Sequence, residues 1–379
     1  MKLTTHHITG DTPSACFSVP VYEFGINTGG PKIYLQAGMH ADEHPGMLIL
    51  HHLMALLETA EAENKLQAHF VILPVVNPLG LADLSYHRHQ GRYHPENALN
   101  YNRGWPDFAK IIKADDEFVG ALGDDAHQNK ILVRKAIERW LDKNPPISAL
   151  DQQRHIVMRH CFDAEMVLDL HCDDIALNHI FIVPQNLPRY QSLVDWMRSQ
   201  ATLTAEDSGG GSFDEVWSAL WIKLAKSLPD AAWPEPVLSA TLEYRGQQDV
   251  ADKLNYDDAK GLYHFFCEEN MIDDEADINR PSMPAPTAFT ACEIVRVTQT
   301  GLLAYQVSLG DIVKAGDVIA ELISLDGAAP ARERTPIMAG TDGLVFSLNQ
   351  MKYVWPGMSI AKIAGNKPVF GREGYLLED

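Results

Sequence analysis

Lys32-Ile33-Tyr34-Leu35-Gln36-Ala37-Gly38-Met39-His40-Ala41-Asp42-Glu43-His44-Pro45-Gly46 is the stretch from which the rest of the chain is read. Residues 32–37 read as a buried strand that runs into a glycine, and a helix-like stretch, Met47 to Leu57, follows the proline. His69-Phe70-Val71-Ile72-Leu73-Pro74-Val75-Val76 reads as a second buried strand, ending at Asn77-Pro78. Buried strands that alternate with helices belong to a mostly parallel sheet covered by helices. Glu165 to Leu170 and Val237 to Leu242 are two further strand candidates. The fold class expected is α/β, a mostly parallel or mixed sheet flanked by helices. Gly209-Gly210-Gly211-Ser212 reads as a flexible surface loop.

Outside this frame the pattern changes twice. Residues 105–165 are charged and helical in period, with Asn129 to Leu141 the clearest amphipathic piece, and read as a helical insertion. Residues 273–287 are acidic and then proline-rich, the composition of a linker. Beyond them come short strands broken by glycines. The organisation expected is an α/β domain over 1–280 and a small all-β module over 288–366.

Composition narrows the partners. The 379 residues are 46% apolar and 22% charged, enough to bury a core, with a formal net charge of −20. That charge argues against nucleic acid, which needs a basic surface. No apolar run reaches the roughly 18 residues of a membrane span, and Met1 to His7 has no signal-peptide core. Five unpatterned cysteines read as free thiols in a reducing compartment, so a cytoplasmic location is expected.

His40 and Glu43 stand three residues apart after the first strand, a spacing that lets an imidazole and a carboxylate reach one metal ion. Catalytic zinc takes three protein ligands and leaves one position for water, and two histidines with one glutamate are a known set. Open α/β sheets place ligands at the carboxyl ends of their strands, and His171 directly follows strand candidate 165–170. His40 to His44 also spells H-x-x-E-H, in which both histidines bind from one helix. Pro45 disfavours helical backbone at His44 and suits a helix that begins there, so His44 is expected to be a neighbour, not a ligand.

Asn77-Pro78, Arg88, Arg92 and Asn100-Tyr101-Asn102-Arg103 form a basic and amide-rich cluster. Arginine grips a carboxylate with two parallel hydrogen bonds, so the Asn-Arg pair looks like an anion clamp, whereas Arg88 reads as a surface residue. Glu243 ends strand candidate 237–242, where it either faces the same cleft as His40 and His171 or pairs with Arg245.

Taken in order, His40-x-x-Glu43, Asn77-Pro78, Arg92, Asn102-Arg103, Asp169-Leu170-His171 and Glu243 resemble the zinc carboxypeptidase clan. Arg92-Tyr93 followed by Asn102-Arg103-Gly104-Trp105-Pro106 is similar to its succinylglutamate desuccinylase/aspartoacylase branch, over roughly residues 30–365. The resemblance implies one zinc per chain held by His40, Glu43 and His171. It implies Glu243 as general base and then general acid, Arg92 as the carbonyl-polarising group, and Asn102 and Arg103 as binders of a substrate carboxylate. Tyr101 stands where Leu is common, and Gly104 and Trp105 follow Asn-Arg, so the pocket shape departs from the family pattern.

The all-β module looks like the β-barrel-sandwich domain of many bacterial members. Gly301 to Val318 also resembles half of a biotinyl/lipoyl domain, but the hairpin from Ser324 to Thr335 has no lysine to modify, and Lys352 lies elsewhere. A lid, an oligomer contact or a specificity element is the expected role. The expected activity is zinc-dependent cleavage of the amide bond of a small N-acyl amino acid. A metallocarboxypeptidase acting on peptides and a non-catalytic binding protein of the same fold are the alternatives, and a homo-oligomer is compatible with all three.

Overall fold

A computed structural model describes residues 1–325, 334–372 and 376. Nine strands form the main sheet: β1 (Lys2–Thr9), β2 (Cys16–Phe24), β3 (Lys32–Ala37), β4 (His69–Leu73), β5 (Met166–Asp173), β6 (His179–Ile182), β7 (Ala201–Thr204), β8 (Leu238–Gly246) and β9 (Thr287–Ala288). Their order is β1-β2-β4-β3-β5-β8-β6-β7-β9. The central four, β4, β3, β5 and β8, run parallel, while β1, β2 and the β8–β6 pair are antiparallel. The α/β class with a mostly parallel, mixed sheet is therefore the one observed.

Both faces of the sheet are covered. Ile33, Leu35, Phe70, Ile72, Leu168 and Leu170 pack under helices Pro45–Ala62, Gln191–Trp196 and Asp252–Glu268. Tyr34, Val71, Leu73 and Val167 pack under Phe108–Lys113, Ala126–Lys143, Ala149–Cys161 and Phe213–Ser227. The helical segment 105–165 thus builds most of one cover. Among the described residues no helix is long and apolar enough to cross a membrane. The five cysteines, all among the described residues, form no disulfide.

Four local expectations need correction. β4 stops at Leu73, because Pro74 has no N–H to donate to a ladder. β5 extends to Asp173 and β8 to Gly246, so His171 and Glu243 lie inside strands rather than just past them. Pairing with each other continues the two strands beyond their apolar stretches. His44 does adopt helical dihedrals, φ −82° and ψ −26°, but only as the residue before a helix whose first position is Pro45, where a missing N–H costs no bond. The loop at 209–212 is not a free surface loop, as described below.

Beyond β9, strands Cys292–Arg296, Ser359–Gly365, Gly343–Leu348 and Ile312–Val313 form one small sheet. Thr335–Met338, Val318–Ile323, Gly301–Tyr305 and Tyr353–Val354 form a second. Val295, Ile319, Val345, Ile360 and Ile363 fill the space between them. The hairpin expected from Ser324 to Thr335 falls mostly on residues 326–333, which lie outside the described residues. The first small sheet reaches the large one: Ser347 and Leu348 pair antiparallel with Ala176 and Ile175, and Leu177 donates its N–H to Phe346 at 2.9 Å.

Candidate metal centre

His40 and Glu43 sit on the turn between β3 and the helix that starts at Pro45. The turn is fixed at both ends. Asn77 donates its side-chain N–H to Met39 O at 2.9 Å, and Ala41 donates its N–H to Gly91 O at 2.9 Å. Gly46 lets the helix start close to β5, since a Cβ there would stand 2.9 Å from Leu170 Cβ and 3.0 Å from Leu170 O.

The register of β3 beside β5 sets Ala37 opposite Leu170, which brings His171 to the same turn. His40 Nδ1 lies 2.9 Å from Glu43 Oε1, and His171 Nδ1 lies 2.7 Å from Glu43 Oε2. The three side chains are 4%, 3% and 2% exposed, counted over the residues His40, Glu43 and His171. One donor atom from each falls within 4.8 Å of the others. The outer nitrogens are engaged elsewhere: His40 Nε2 meets Asn100 Oδ1 at 2.8 Å, and His171 Nε2 stands 2.9 Å from Asp169 Oδ2. Imidazoles held from behind by a carboxylate or carbonyl aim the opposite nitrogen at a metal. Two imidazoles and a carboxylate converging on one point fit a zinc ion.

Electrostatics agree with that use for two of the three groups, whereas Asp169 and Glu43 outweigh burial at His171 and raise it well above its ordinary value, so a metal there displaces a proton. Burial opposes charge on Glu43, but His40 and His171 outweigh it and hold the carboxyl well below its ordinary value. Burial and the Arg92 guanidinium push His40 down to about 4, which keeps its imidazole neutral and able to ligate. His44 is not part of the group; its Nε2 meets His89 Nδ1 at 3.1 Å.

The remaining expected residues converge on the same place. β8 pairs with β5 so that Glu243 lies opposite His171 and Thr241 opposite Asp169. Arg245 does not pair with Glu243. A break in register after Glu243 and a φ of +60° at Arg245 turn that guanidinium away, and it binds Asp258. Glu243 faces the cleft with Oε2 unpartnered, and burial and the nearby Glu43 push it up to about 8. Arg92 Nη1 donates to Glu43 Oε1 at 3.1 Å, so it lies against an expected ligand rather than across an open cleft. Asn102 stands 3.5 Å from His171 Nε2 through Nδ2, and Arg103 lines the cleft with its Nη1 on Asn102 O at 2.9 Å. Arg88 is exposed.

Five contributions escaped the sequence reading. Asn100 was in the cluster without a role, and Cys172 donates its main-chain N–H to Glu43 Oε2 at 3.2 Å. The 209–212 loop is tied to the clamp, since Phe213 donates its N–H to Asn102 Oδ1 at 2.8 Å and Trp105 donates to Gly211 O at 3.3 Å; Ser208 and Ser212 face the cleft. Asp214, at the start of helix Phe213–Ser227, lines the floor and accepts from Ser212 Oγ at 2.6 Å. Finally, Phe346 and Lys362 come from the small sheet, and Lys362 Nζ and Ser347 Oγ donate to Asp173 at 2.6 and 2.8 Å. The cleft encloses about 970 Å³, including the space open to solvent.

Fold and site together define a class: an α/β protein with two histidines and a glutamate that could hold one metal ion at the carboxyl ends of parallel strands in a mixed sheet. Residues 29–205 match the family model of the succinylglutamate desuccinylase/aspartoacylase catalytic domain, so the resemblance carried by the motifs holds over that span, which includes His40 to His171 but stops short of Glu243. No curated protein matches the sequence.

Solved structures share the fold over nearly the whole chain. One is described as a succinylglutamate desuccinylase/aspartoacylase family protein of Shewanella amazonensis; it is 22% identical, with 96% of this chain and 98% of that chain covered and a TM-score of 0.80. A protein similarly described from Shewanella frigidimarina is 19% identical, with 96% and 97% covered and a TM-score of 0.81. The product-bound ectoine utilization protein EutE (DoeB) of Ruegeria pomeroyi is 17% identical, with 95% of each chain covered and a TM-score of 0.64.

Proposed function

We propose that the protein is a zinc-dependent hydrolase that cleaves the amide bond of a small, carboxylate-bearing N-acyl amino acid. The observation that carries this reading is the meeting, in one walled cleft, of the His40–Glu43–His171 donor set with Glu243, Arg92 and the Asn102–Arg103 pair. Zinc bound there supplies a Lewis acid that lowers the pKa of a water and polarises the carbonyl.

The chain's own groups do the rest. Glu243 accepts a proton at its carboxylate and passes it to the departing amine. A carboxyl raised to about 8 is suited to hold and release a proton near neutrality. Arg92 offsets the charge of Glu43 and offers guanidinium N–H groups to charge that develops on the carbonyl oxygen. Arg103, steadied by Asn102 O, grips the substrate carboxylate. Phe346 and Lys362 wall the cleft from the small sheet, which favours a small substrate over a polypeptide. A panel of N-acyl amino acids, assayed for released amine on the zinc-loaded protein, tests the reading. Release from at least one member is expected. An inert panel alongside trimming of free-acid peptides would replace it with the peptidase reading.

A further inference from the structure

The helical segment 105–165 carries four arginines. Three of them meet carboxylates: Arg134 with Glu165 at 2.9 Å, Arg139 with Asp115 at 3.3 Å, and Arg159 with Asp142. Arg154, in helix Ala149–Cys161, does not. Its Nη1 donates to Gly104 O at 3.1 Å, and its Nη2 donates to Arg103 O at 2.7 Å and Tyr101 O at 3.4 Å. Its guanidinium carbon lies 4.8 Å from the centre of the Trp105 ring, and its Nε is buried without a partner.

Every acceptor is therefore a main-chain carbonyl of the loop that carries Asn102 and Arg103. In a chain of net charge −20, carboxylates are plentiful, yet this half-buried cation is given only neutral acceptors. Partly burying a guanidinium without a carboxylate in contact is costly, because carbonyl dipoles replace only part of its hydration. Asp151, three residues earlier on the same helix, acts on Arg154 without a hydrogen bond, so the charge directly behind the clamp is offset only in part.

We propose that Arg154 is the positioning residue of the Asn102–Arg103 clamp: it fixes the 101–104 loop through three carbonyls, and its charge, which no hydrogen-bonded carboxylate cancels, makes the clamp prefer a carboxylate to a neutral group. This rests on the reading of Asn102 and Arg103 as binders of a substrate carboxylate. The opposite side of the loop has its own ties, Phe213 to Asn102 and Trp105 to Gly211, so losing Arg154 loosens the loop without releasing it.

The test compares Arg154→Gln, Arg154→Lys and Arg103→Gln with the parent protein, zinc-loaded. The probes are the N-acyl amino acid best hydrolysed in the panel and its carboxamide analogue. Arg154→Gln should raise KM for the acid roughly tenfold, leave kcat within a few-fold and hardly change KM for the amide. Arg154→Lys, which keeps the charge but not the fork, should retain the acid preference with a raised KM. Hydrogen exchange needs no substrate: amides over 101–105 should exchange faster in Arg154→Gln while those of β5 do not. Unchanged exchange over 101–105, a lysine variant equal to the parent, or equal KM increases for acid and amide would each overturn the proposal. If Arg103→Gln distinguishes acid from amide and Arg154→Gln does not, the positioning role alone fails. If neither distinguishes them, the clamp reading fails and takes the proposal with it.

Discussion

The two ends of the cleft are assembled over very different distances along the chain. At the end proposed to hold the metal, His40, Glu43 and His171 come from one turn and one adjacent strand, and they are braced by neighbours such as Asn77, Asn100 and Asp169. At the far end, Phe181 of β6 meets Phe289 at 5.2 Å between ring centres, and His179 meets Phe346 at 5.0 Å. Lys362 crosses from the small sheet to Asp173, only two residues past His171. One end concentrates charge and hydrogen bonds, while the other combines aromatic packing with a single ion pair. On the proposed reading the polar end carries the chemistry and the carboxylate grip while the far end shapes the rest of the pocket, and substitutions should separate the two.

The strongest break is at the metal. His171→Ala should lose most bound zinc and all measurable turnover while circular dichroism keeps the α/β spectrum, because the two neighbouring strands still pair along their length. Full zinc occupancy measured by elemental analysis would remove His171 from the donor set. Glu243→Gln should hold zinc normally and turn over about 10²–10⁴ times more slowly, the usual weight of a general base. Near-normal turnover would show that the unpartnered carboxyl has no part in proton transfer.

The two arginines then sharpen the contrast within the polar end. Arg92→Ala should lower kcat by about 10²–10³, the scale of one oxyanion donor. Arg103→Ala should mainly raise KM, since a remote carboxylate is held equally in ground and transition states. Steady-state kinetics showing the reverse pattern would exchange their roles.

At the far end, Lys362→Met should leave zinc content intact and shift KM by a few-fold, because it removes the cation on Asp173, leaves the Ser347 hydrogen bond and touches none of His40, Glu43 and His171. Loss of zinc in that variant would show that the two ends are not separable. The smallest effect concerns pH. A folded-state value of about 8 for Glu243, above its ordinary 4.5, means that the fold favours the protonated form. That contribution is full below about pH 4.5 and is lost as pH rises through about 8. In metal-free protein, Glu243→Gln should therefore gain Tm on the parent between pH 5.5 and 9, by a few degrees. A Tm difference that stays flat over that range would contradict the buried, raised carboxyl.

What could be read from the sequence follows the same division. His40 and Glu43 are three residues apart on a strand-to-helix turn, so their partnership is a local pattern. His171 and Glu243 were located by the strands that carry them, although both strands ran further than their apolar runs, because backbone pairing does not stop where apolar residues do. The glycines at 209–211 signal only backbone freedom, and nothing local says that the loop is pinned by Trp105 and Phe213. Lys362 was unreadable for a related reason: its partner lies 189 positions away, and a lysine in a strand of alternating pattern looks like any solvated one.

The bridge from Asp173 to Ser347 and Lys362 also sets an order of events. At about 5–20 residues per second of synthesis, the strands that carry Ser347 and Lys362 follow His171 by on the order of ten seconds or more. During that interval Asp173, two positions past His171, lacks both of the partners it has in the finished fold. Once Ser347 and Lys362 have met Asp173 the cleft has its last wall. On the proposed reading, selection among substrates therefore begins only after the small sheet has been made.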